Sequence, residues 1–420
     1  MWPYPQQSNA EVTPLVAVVP FVSMLLAIAF GPLWAPHWWE SNRNKLVVAG
    51  LLGAPVLVLY LLRHPAVLVH TGEDYVSFII LLAALYAISG GIRLTGDLEA
   101  TPLTNTAFLA VGTVLASLIG TTGASMVLIR PLLQTNRERR RVKHTVIFFI
   151  FLVGNIGGML TPLGDPPLFL GYLQGVPFVW TLRLWPMWLF LSGVLLVVYF
   201  VWDRRAHARE ARAALTVDRA AIEPLRLRGA GNAVALAVVV MAVAVLHAPW
   251  RELAIVAVAA VSLWRTPASI RRANGVTSSP MIEVAVLFFG IFLTMIPALE
   301  LLRVRGAELG VREPWRFFWA TGILSSFLDN APTYLTFLTF AQSLSMTPEV
   351  VGVPHVVLEA ISVGAVAMGA NSYIGNAPNF MVKSIAEEAK VDMPSFVGYM
   401  LYSGAILVPL FVAATLIFFR

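Results

Sequence analysis

The stretch Thr161-Pro-Leu-Gly-Asp-Pro-Pro-Leu-Phe169 recurs 211 residues later as Ser372-Tyr-Ile-Gly-Asn-Ala-Pro-Asn-Phe380, with Gly, Asp or Asn, Pro and Phe in register. Both stretches lie inside long apolar segments, and their Gly and Pro residues predict a break in each helix. The recurrence therefore indicates that the chain is built from two related halves.

The composition places both stretches in a membrane. The chain has 420 residues, of which 58% are hydrophobic and 12% charged, and its mean hydropathy is +0.76. A soluble protein has about 25% charged residues, and about 20 apolar residues in a helix cross a bilayer core. We therefore expect an all-α polytopic membrane protein. The absence of cysteine excludes disulfides and thiolate-ligated sites.

A second and weaker match precedes each of these stretches. Leu115-Ala-Ser-Leu-Ile-Gly-Thr-Thr-Gly123 aligns with Leu324-Ser-Ser-Phe-Leu-Asp-Asn-Ala-Pro332 at an offset of 209 residues. Each occurs in the middle of an interrupted apolar run. The basic regions stay cytoplasmic only if the run from Thr104 to Leu133 enters and leaves on the cytoplasmic side, so it is predicted to be a re-entrant helical hairpin, and the aligned run is predicted to be its counterpart in the second half. The expected organisation is a first repeat at 1–202 (hairpin 104–135, broken helix 145–173), a cytoplasmic basic linker at 203–231, and a second repeat at 232–420 (hairpin 315–344, broken helix 353–385).

Positive charge predicts the orientation, because cytoplasmic loops carry an excess of Lys and Arg. The richest regions are 137–143, the linker and 265–272. Ten crossings with both termini outside place 20 Lys and Arg residues in the cytoplasm and 8 outside. Each half then makes five crossings, an odd number, so the second half is inverted relative to the first. No Lys or Arg occurs in the first 42 residues, so the apolar run from Pro14 to Trp34 is expected to be a retained span.

Inverted repeats with broken helices are typical of secondary transporters, whose substrates bind where unwound backbone is shielded near the middle of the membrane. Irregular backbone at that depth is stable only when it is buried in protein or lines a wet cavity. Ordinary membrane kinks are the alternative interpretation, but they do not explain why the interruptions recur in register. The chain is therefore predicted to be a secondary active transporter of the bacterial inner membrane.

Two carboxylates stand at these interruptions. Asp165 lies in the first broken helix and Asp329 at the second hairpin tip. An acid at the bilayer centre costs about 2.5 to 3.5 kcal/mol on insertion scales, so it is expected to be functional. The neutral oxygen-bearing side chains predicted to join them are Thr121, Thr122, Ser125, Asn155, Thr161, Asn330, Asn371, Ser372, Asn376 and Asn379. Such oxygens suit a hard cation, so sodium bound by Asp165 and Asp329 is predicted. Both acids are also plausible helix N-caps, an alternative that is compatible with binding.

No motif points to another source of energy. The sequence contains no Walker A motif, no phosphate-binding Gly-rich loop and no HExxH helix. An ion gradient is therefore expected to drive transport, and no resident cofactor is predicted. Because Na⁺ and H⁺ would compete for a buried carboxylate, sodium (or lithium)/proton antiport is the predicted activity.

The chain is not expected to be an enzyme. An intramembrane aspartyl protease also needs two buried acids, and Leu163-Gly-Asp165 is similar to its Gly-x-Gly-Asp motif. However, Pro162 occupies the first Gly position and no Tyr-Asp pair occurs. Proteolysis also explains no inverted repeat, and a receptor or assembly factor would have little need for acids at two related breaks.

Four groups of residues resemble motifs of the ion transporter superfamily, in particular of NhaD-type sodium/proton antiporters and related citrate-transporter-like proteins. They are Thr122-Gly-Ala-Ser-Met126 with Ile129-Arg-Pro131, Gly157-Gly-Met-Leu-Thr-Pro-Leu-Gly-Asp165, Asp329-Asn-Ala-Pro332, and Gly369-Ala-Asn-Ser372 with Gly375-Asn-Ala-Pro378. The resemblance implies a scaffold of outer helices, usually dimeric, and a transport domain that moves like an elevator. The expected partners are therefore membrane lipid and a second copy of the chain, and nucleic acid is not expected.

One departure from the superfamily pattern bears on the substrate. The dicarboxylate branch typically carries Ser-Asn-Thr at the hairpin tips, where this chain has Gly120-Thr-Thr-Gly123 and Asp329-Asn-Ala-Pro332. Two acids near the centre would also repel a multivalent anion. The departure favours cation exchange, while symport of citrate or a dicarboxylate and arsenite export remain the alternatives.

Overall fold

The computed structural model describes residues 14–220 and 222–420, and helices account for most of them. The α-helices are α1 Val19–Trp34, α2 Pro36–Trp39, α3 Asn42–Arg63, α4 Pro65–Ser89, α5 Pro102–Ile119, α6 Thr121–Thr135, α7 Lys143–Leu152, α8 Pro166–Leu173, α9 Trp185–His207, α10 Arg212–Ala220, α11 Gly231–Val245, α12 Trp250–Arg265, α13 Ala268–Ala273, α14 Ser279–Arg305, α15 Pro314–Phe327, α16 Asn330–Ser343, α17 His355–Met368, α18 Ala377–Glu388 and α19 Phe396–Phe418. Short 3-10 helices occupy Leu15–Val18, Ile156–Leu160, Phe178–Leu184, Gly306–Leu309 and Gly369–Asn371.

Within the described residues, eight helical segments are long and apolar enough to cross a membrane. They are Leu15–Pro32, Asn42–Arg63, Pro65–Ser89, Pro102–Ile119, Lys143–Leu160, Phe178–His207, Ser279–Leu309 and Phe396–Phe418. Seven of them overlap the crossings that the apolar runs 14–34, 46–62, 75–92, 145–173, 180–202, 281–302 and 396–419 predict, and Pro102–Ile119 is the first arm of the hairpin predicted at 104–135. The other three predicted crossings contain the shorter helices α11, α12 and α17. The chain is a multi-pass membrane protein, as predicted.

The centre of the molecule is α7. Every residue from Val146 to Val153 is apolar and fully buried, so this part of the helix is apolar on all sides. A helix that is apolar all round has no face for water and is stable only when protein or lipid surrounds it completely. By contrast, α3 and α9 expose large aliphatic side chains such as Leu51, Leu62 and Val197, as expected of helices that face lipid.

Both predicted hairpins are pairs of helices joined by a very short tip. Gly120 connects α5 to α6, and Leu328 with Asp329 connects α15 to α16. Gly120 has φ 82°, a left-handed conformation that favours glycine. The tip is also anchored, because the backbone N–H of Thr121 donates to the carbonyl oxygen of Gly164 over 2.8 Å. The first hairpin tip therefore sits directly against the first helix break.

Two helical segments are interrupted near the repeated stretches, and the first of them already stops at Leu152, before the stretch that begins at Thr161. After α7, a 3-10 turn at Ile156–Leu160 and a non-helical stretch lead to α8, which begins at Pro166. After α17, a 3-10 turn at Gly369–Asn371 leads in the same way to α18. Prolines at the first or second position of α8 and α18 suit a helix start, since those N–H groups have no helical partner.

The predicted linker at 203–231 is more structured than expected. It begins inside α9 and includes α10 and strand β2, Glu223–Arg228, which pairs antiparallel with β1, Arg93–Asp97. This two-stranded sheet is the departure from the all-α prediction. The alternation of Leu225, Arg226, Leu227 and Arg228 is typical of a strand, but the partner strand lies about 130 residues earlier. The segment therefore folds against the first half of the chain.

Cysteine labelling tests the predicted orientation of the two halves. The chain has no native cysteine, and Ser345 and Arg209 are both exposed. We expect Ser345→Cys to react with a membrane-impermeant maleimide from outside, and Arg209→Cys to react only after the membrane is permeabilised. Reaction of Ser345→Cys from the cytoplasmic side alone would contradict the inverted second half.

Candidate functional site

The Asp165 carboxylate accepts hydrogen bonds on both oxygens. Thr121 Oγ1 and Asn376 Nδ2 each donate to Oδ1 over 2.9 Å, and Asn330 Nδ2 donates to Oδ2 over 2.6 Å. The residue is 1% exposed. Three polar side chains from both halves thus satisfy a buried acid that would otherwise be costly. The sequence predicted all four of these residues as site residues.

Four helix N-termini come together at this carboxylate. Thr121 is the first residue of α6 and Asn330 the first of α16, while Asp165 and Asn376 are the N-caps of α8 and α18. Each N-terminus carries about half a positive elementary charge. The structure therefore concentrates positive potential around Asp165, as in transporters whose broken helices point at an anionic group.

A second layer of amides supports the first. Asn155 Nδ2 donates to Asn379 Oδ1 over 2.7 Å, and Asn376 Nδ2 also donates to Asn155 Oδ1 over 3.3 Å. Asn379 Nδ2 donates to the carbonyl oxygens of Gly369 and Ser372, both over 2.9 Å. Asn155 and Asn379 are fully buried. These bonds join the first break to the second across more than 200 residues of sequence.

Equivalent hydrogen bonds recur in the two halves. Thr161 Oγ1 donates to the carbonyl oxygen of Ser117, and Ser372 Oγ, 211 residues later, donates to that of Ser326. The serine hydroxyls also match, since Ser117 Oγ donates to the carbonyl of Gly157 and Ser326 Oγ to that of Met368. Each pair ties the last turn of a hairpin's first arm to the neighbouring break. Thr161 and Ser372 therefore position backbone and do not contact Asp165.

Ser117 and Ser326 were missed by the sequence prediction of site residues. The signal was present, because the two serines are identical residues in the alignment of the hairpin tips. That alignment shows relatedness but not contact, so it could not indicate which backbone groups their hydroxyls would meet.

In each break, the backbones of two glycines lie in close contact. A Cβ atom on Gly164 would overlap the carbonyl oxygen of Gly158, and one on Gly375 would overlap that of Gly369. These four glycines occupy equivalent places in the two halves. Close backbone approach, rather than an unusual φ angle, explains why glycine occurs there.

Asp329 differs from Asp165 in its contacts. It is half-buried and its Oδ1 accepts the backbone N–H of Ala331 over 3.0 Å, so it is the side-chain N-cap of α16. Asp165 makes no such bond to α8: Pro166 and Pro167 have no N–H to donate, and the N–H of Leu168 donates to the backbone carbonyl oxygen of Asp165 over 3.1 Å. Of the two acids at N-cap positions, only Asp329 therefore caps its helix with the side chain, and its neighbour Asn330 reaches the Asp165 carboxylate.

Residues 10–419 match the model of a protein family described as "Putative citrate transport". The chain belongs to this citrate transport family. The match covers nearly the whole chain and supports the citrate-transporter-like part of the resemblance, without singling out sodium/proton antiporters. No curated protein matches the chain. Membership of a transporter family agrees with the expectation that the chain is not an enzyme.

The remaining predicted residues of this citrate transport family member make no hydrogen bond to Asp165 or to the side chains that contact it. Asn371 Nδ2 donates to Ser326 Oγ over 2.9 Å, and Thr122 is half-buried. Ser125 Oγ and Asn371 Oδ1 are buried without a hydrogen-bond partner. Buried polar atoms are normally paired, so these two oxygens are exceptions to that rule.

The predicted sodium site has a limited set of ligands. Among the described residues, no group of three or more His, Cys, Asp or Glu side chains could hold a metal ion. Both oxygens of Asp165 already accept hydrogen bonds, and Asp329 caps a helix. A cation at this place would therefore depend on neutral oxygens beside at most two carboxylates.

Proposed function

We propose that this chain is a secondary active transporter that carries citrate, or a chemically similar polycarboxylate, together with H⁺ or Na⁺. The observation that carries the proposal is the family match over residues 10–419. The geometry supports it, because four helix N-termini surround Asp165 and an anion is stabilised at such positions.

The charges at the site support coupling to a cation. Four helix N-termini contribute about +2 elementary charges in sum, and Asp165 and Asp329 offset them when both are ionised. A carboxylate substrate is then poorly attracted. Uptake of a proton or a sodium ion at the acids leaves the positive potential of the helices unopposed, so the anion binds when the cation is present.

The site network supports movement as one body. Hydrogen bonds join the first hairpin to the first break through Thr121 and Asp165, and the second hairpin and second break through Asn330 and Asn376. A unit tied together in this way is suited to an elevator-type displacement in the inner membrane. The dimeric scaffold implied by the superfamily resemblance is part of the same proposal.

Sodium/proton antiport is the second candidate. It is favoured by the two acids and by the lack of the Ser-Asn-Thr tips that hold carboxylate substrates in the dicarboxylate branch. In this mechanism Na⁺ and H⁺ exchange at Asp165, and no anion is carried.

Uptake by proteoliposomes distinguishes the two candidates. With an imposed inward gradient of H⁺ or Na⁺, we expect radiolabelled citrate to accumulate above the level of protein-free liposomes. Dissipation of the gradient by an ionophore should abolish accumulation. Failure of citrate, succinate and isocitrate to accumulate, combined with Na⁺-dependent dissipation of a pH gradient, would instead establish antiport.

A further inference from the structure

A cavity of about 810 Å³ opens at the predicted cytoplasmic end of α9. Its lining includes His144 and five basic side chains: Arg140, Arg141, Lys143, Arg205 and Arg209. It shares none of the residues that contact Asp165, so it is separate from the candidate transport site.

Four of these basic groups have no acidic partner. In residues 14–220 and 222–420, no ion pair involves the guanidinium of Arg140, Arg141, Arg205 or Arg209. Lys143 contacts Asp392 over 2.9 Å, but the Asp392 side chain is 94% exposed. Four of the five basic side chains that line the cavity therefore lack an ion-pair partner, and the cavity carries a net positive charge.

The basic loop is held in place on α9. Glu210, just beyond the end of α9, accepts the backbone N–H groups of Arg140 and Arg141 over 3.3 and 2.8 Å. Arg139 is buried and forms a two-bond ion pair with Asp203 of α9, with Nη2 2.5 Å from Oδ1. The backbone of the basic loop is thereby anchored, while Arg140 and Arg141 themselves are exposed.

The other wall of the cavity is apolar and belongs to a membrane span. Val197, Val198, Val201 and Trp202 lie within the segment Phe178–His207. Their spacing of three and four residues places them on one side of α9. All four are exposed, with Val197 65% and Val201 43% accessible. Tyr402 of α19 completes this wall.

We propose that this cavity binds an anionic phospholipid of the predicted cytoplasmic leaflet. The phosphate of the headgroup is held by the arginines, and the first part of an acyl chain lies along Val197, Val201 and Trp202. Basic pockets beside cytoplasmic helix ends recognise such headgroups. A free phosphate would use only the basic half of the cavity and would leave the apolar wall exposed. A phospholipid covers both halves.

Native mass spectrometry of the full chain tests the proposal. The detergent-purified, delipidated protein is titrated with phosphatidylglycerol, with phosphatidylcholine as the zwitterionic comparison. We expect phosphatidylglycerol to bind the protein and phosphatidylcholine to bind it much more weakly. The variant R140Q/R141Q/R205Q should lose affinity about 100-fold, since each basic group near an anionic headgroup contributes a factor of about five.

A matched variant controls for loss of charge alone. R204Q/R212Q/R228Q removes the same charge from exposed positions that do not line the cavity, and it should bind like the wild type. Val201→Asp, which places an acid in the apolar wall, should also weaken phosphatidylglycerol binding. Equal phosphatidylglycerol binding by all variants would overturn the proposal. So would competition by inorganic phosphate or glycerol phosphate at the concentration at which the lipid binds, because it would identify a free-anion site.

Discussion

Asp165→Asn should remain folded in the membrane and reduce gradient-driven uptake to the level of protein-free liposomes. The substitution removes the negatively charged carboxylate at which four helix N-termini meet. A coupling cation then has no carboxylate to bind at this position. This loss is expected whether the transported ion is a proton or sodium.

The fold should tolerate this change because the partners of Asp165 can adapt. The retained oxygen still accepts from Thr121 and Asn376, and the new NH₂ group faces Asn330, whose amide can turn over and present its oxygen. We expect a free energy of unfolding within about 2 kcal/mol of the wild type. Asp392→Asn, the same chemical change at an exposed site, is the matched control and should transport normally. Wild-type uptake by Asp165→Asn would remove this carboxylate from the mechanism.

Gly164→Ala should prevent the first break from forming. The added methyl group overlaps the carbonyl oxygen of Gly158, which is backbone and cannot rotate away. The overlap is removed only if the segments around Gly158 and Gly164 move apart. The same segments take part in the contact between Thr121 and Asp165. We expect destabilisation by more than about 3 kcal/mol, above the usual range for overpacking. Size-exclusion profiles and thermal melting of the detergent-purified protein measure the effect.

The equivalent position and a neutral glycine provide the comparison. Gly375→Ala meets the carbonyl of Gly369 and should be similarly destabilised. Gly193→Ala lies within α9, where no atom beyond the neighbouring backbone of the same helix is within 4 Å of the added Cβ, and should be neutral or slightly stabilising. Normal folding of both Gly164→Ala and Gly375→Ala would show that the close glycine pairs do not hold the breaks closed.

Local features of the fold were predictable from sequence because their causes are local. Gly and Pro inside apolar runs marked the breaks near Asp165 and Asn376, and the tip at Gly120 was recognised from its position within an interrupted run. Helix length and apolar composition identified the membrane segments. In each case the determining residues lie within a few turns of the feature they produce.

Long-range pairing was not predictable in the same way. The oxygen-bearing residues were identified, but only the structure shows that Asn330 and Asn376 point their NH₂ groups at Asp165. An amide both donates and accepts, so a list of polar residues does not reveal whether the site favours a cation or an anion. The strand pairing of 93–97 with 223–228 and the burial of Asp203 against Arg139 also depend on contacts between distant segments.

Citrate counterflow tests the central claim most directly. Proteoliposomes loaded with unlabelled citrate are diluted into a trace of radiolabelled citrate, with equal Na⁺ concentration and pH on both sides. Exchange through a citrate carrier produces transient accumulation of label without an ion gradient, and unloaded proteoliposomes provide the baseline. We predict counterflow by the wild-type protein. Label in loaded wild-type proteoliposomes that never exceeds the baseline, while Na⁺ still dissipates an imposed pH gradient, would contradict the account.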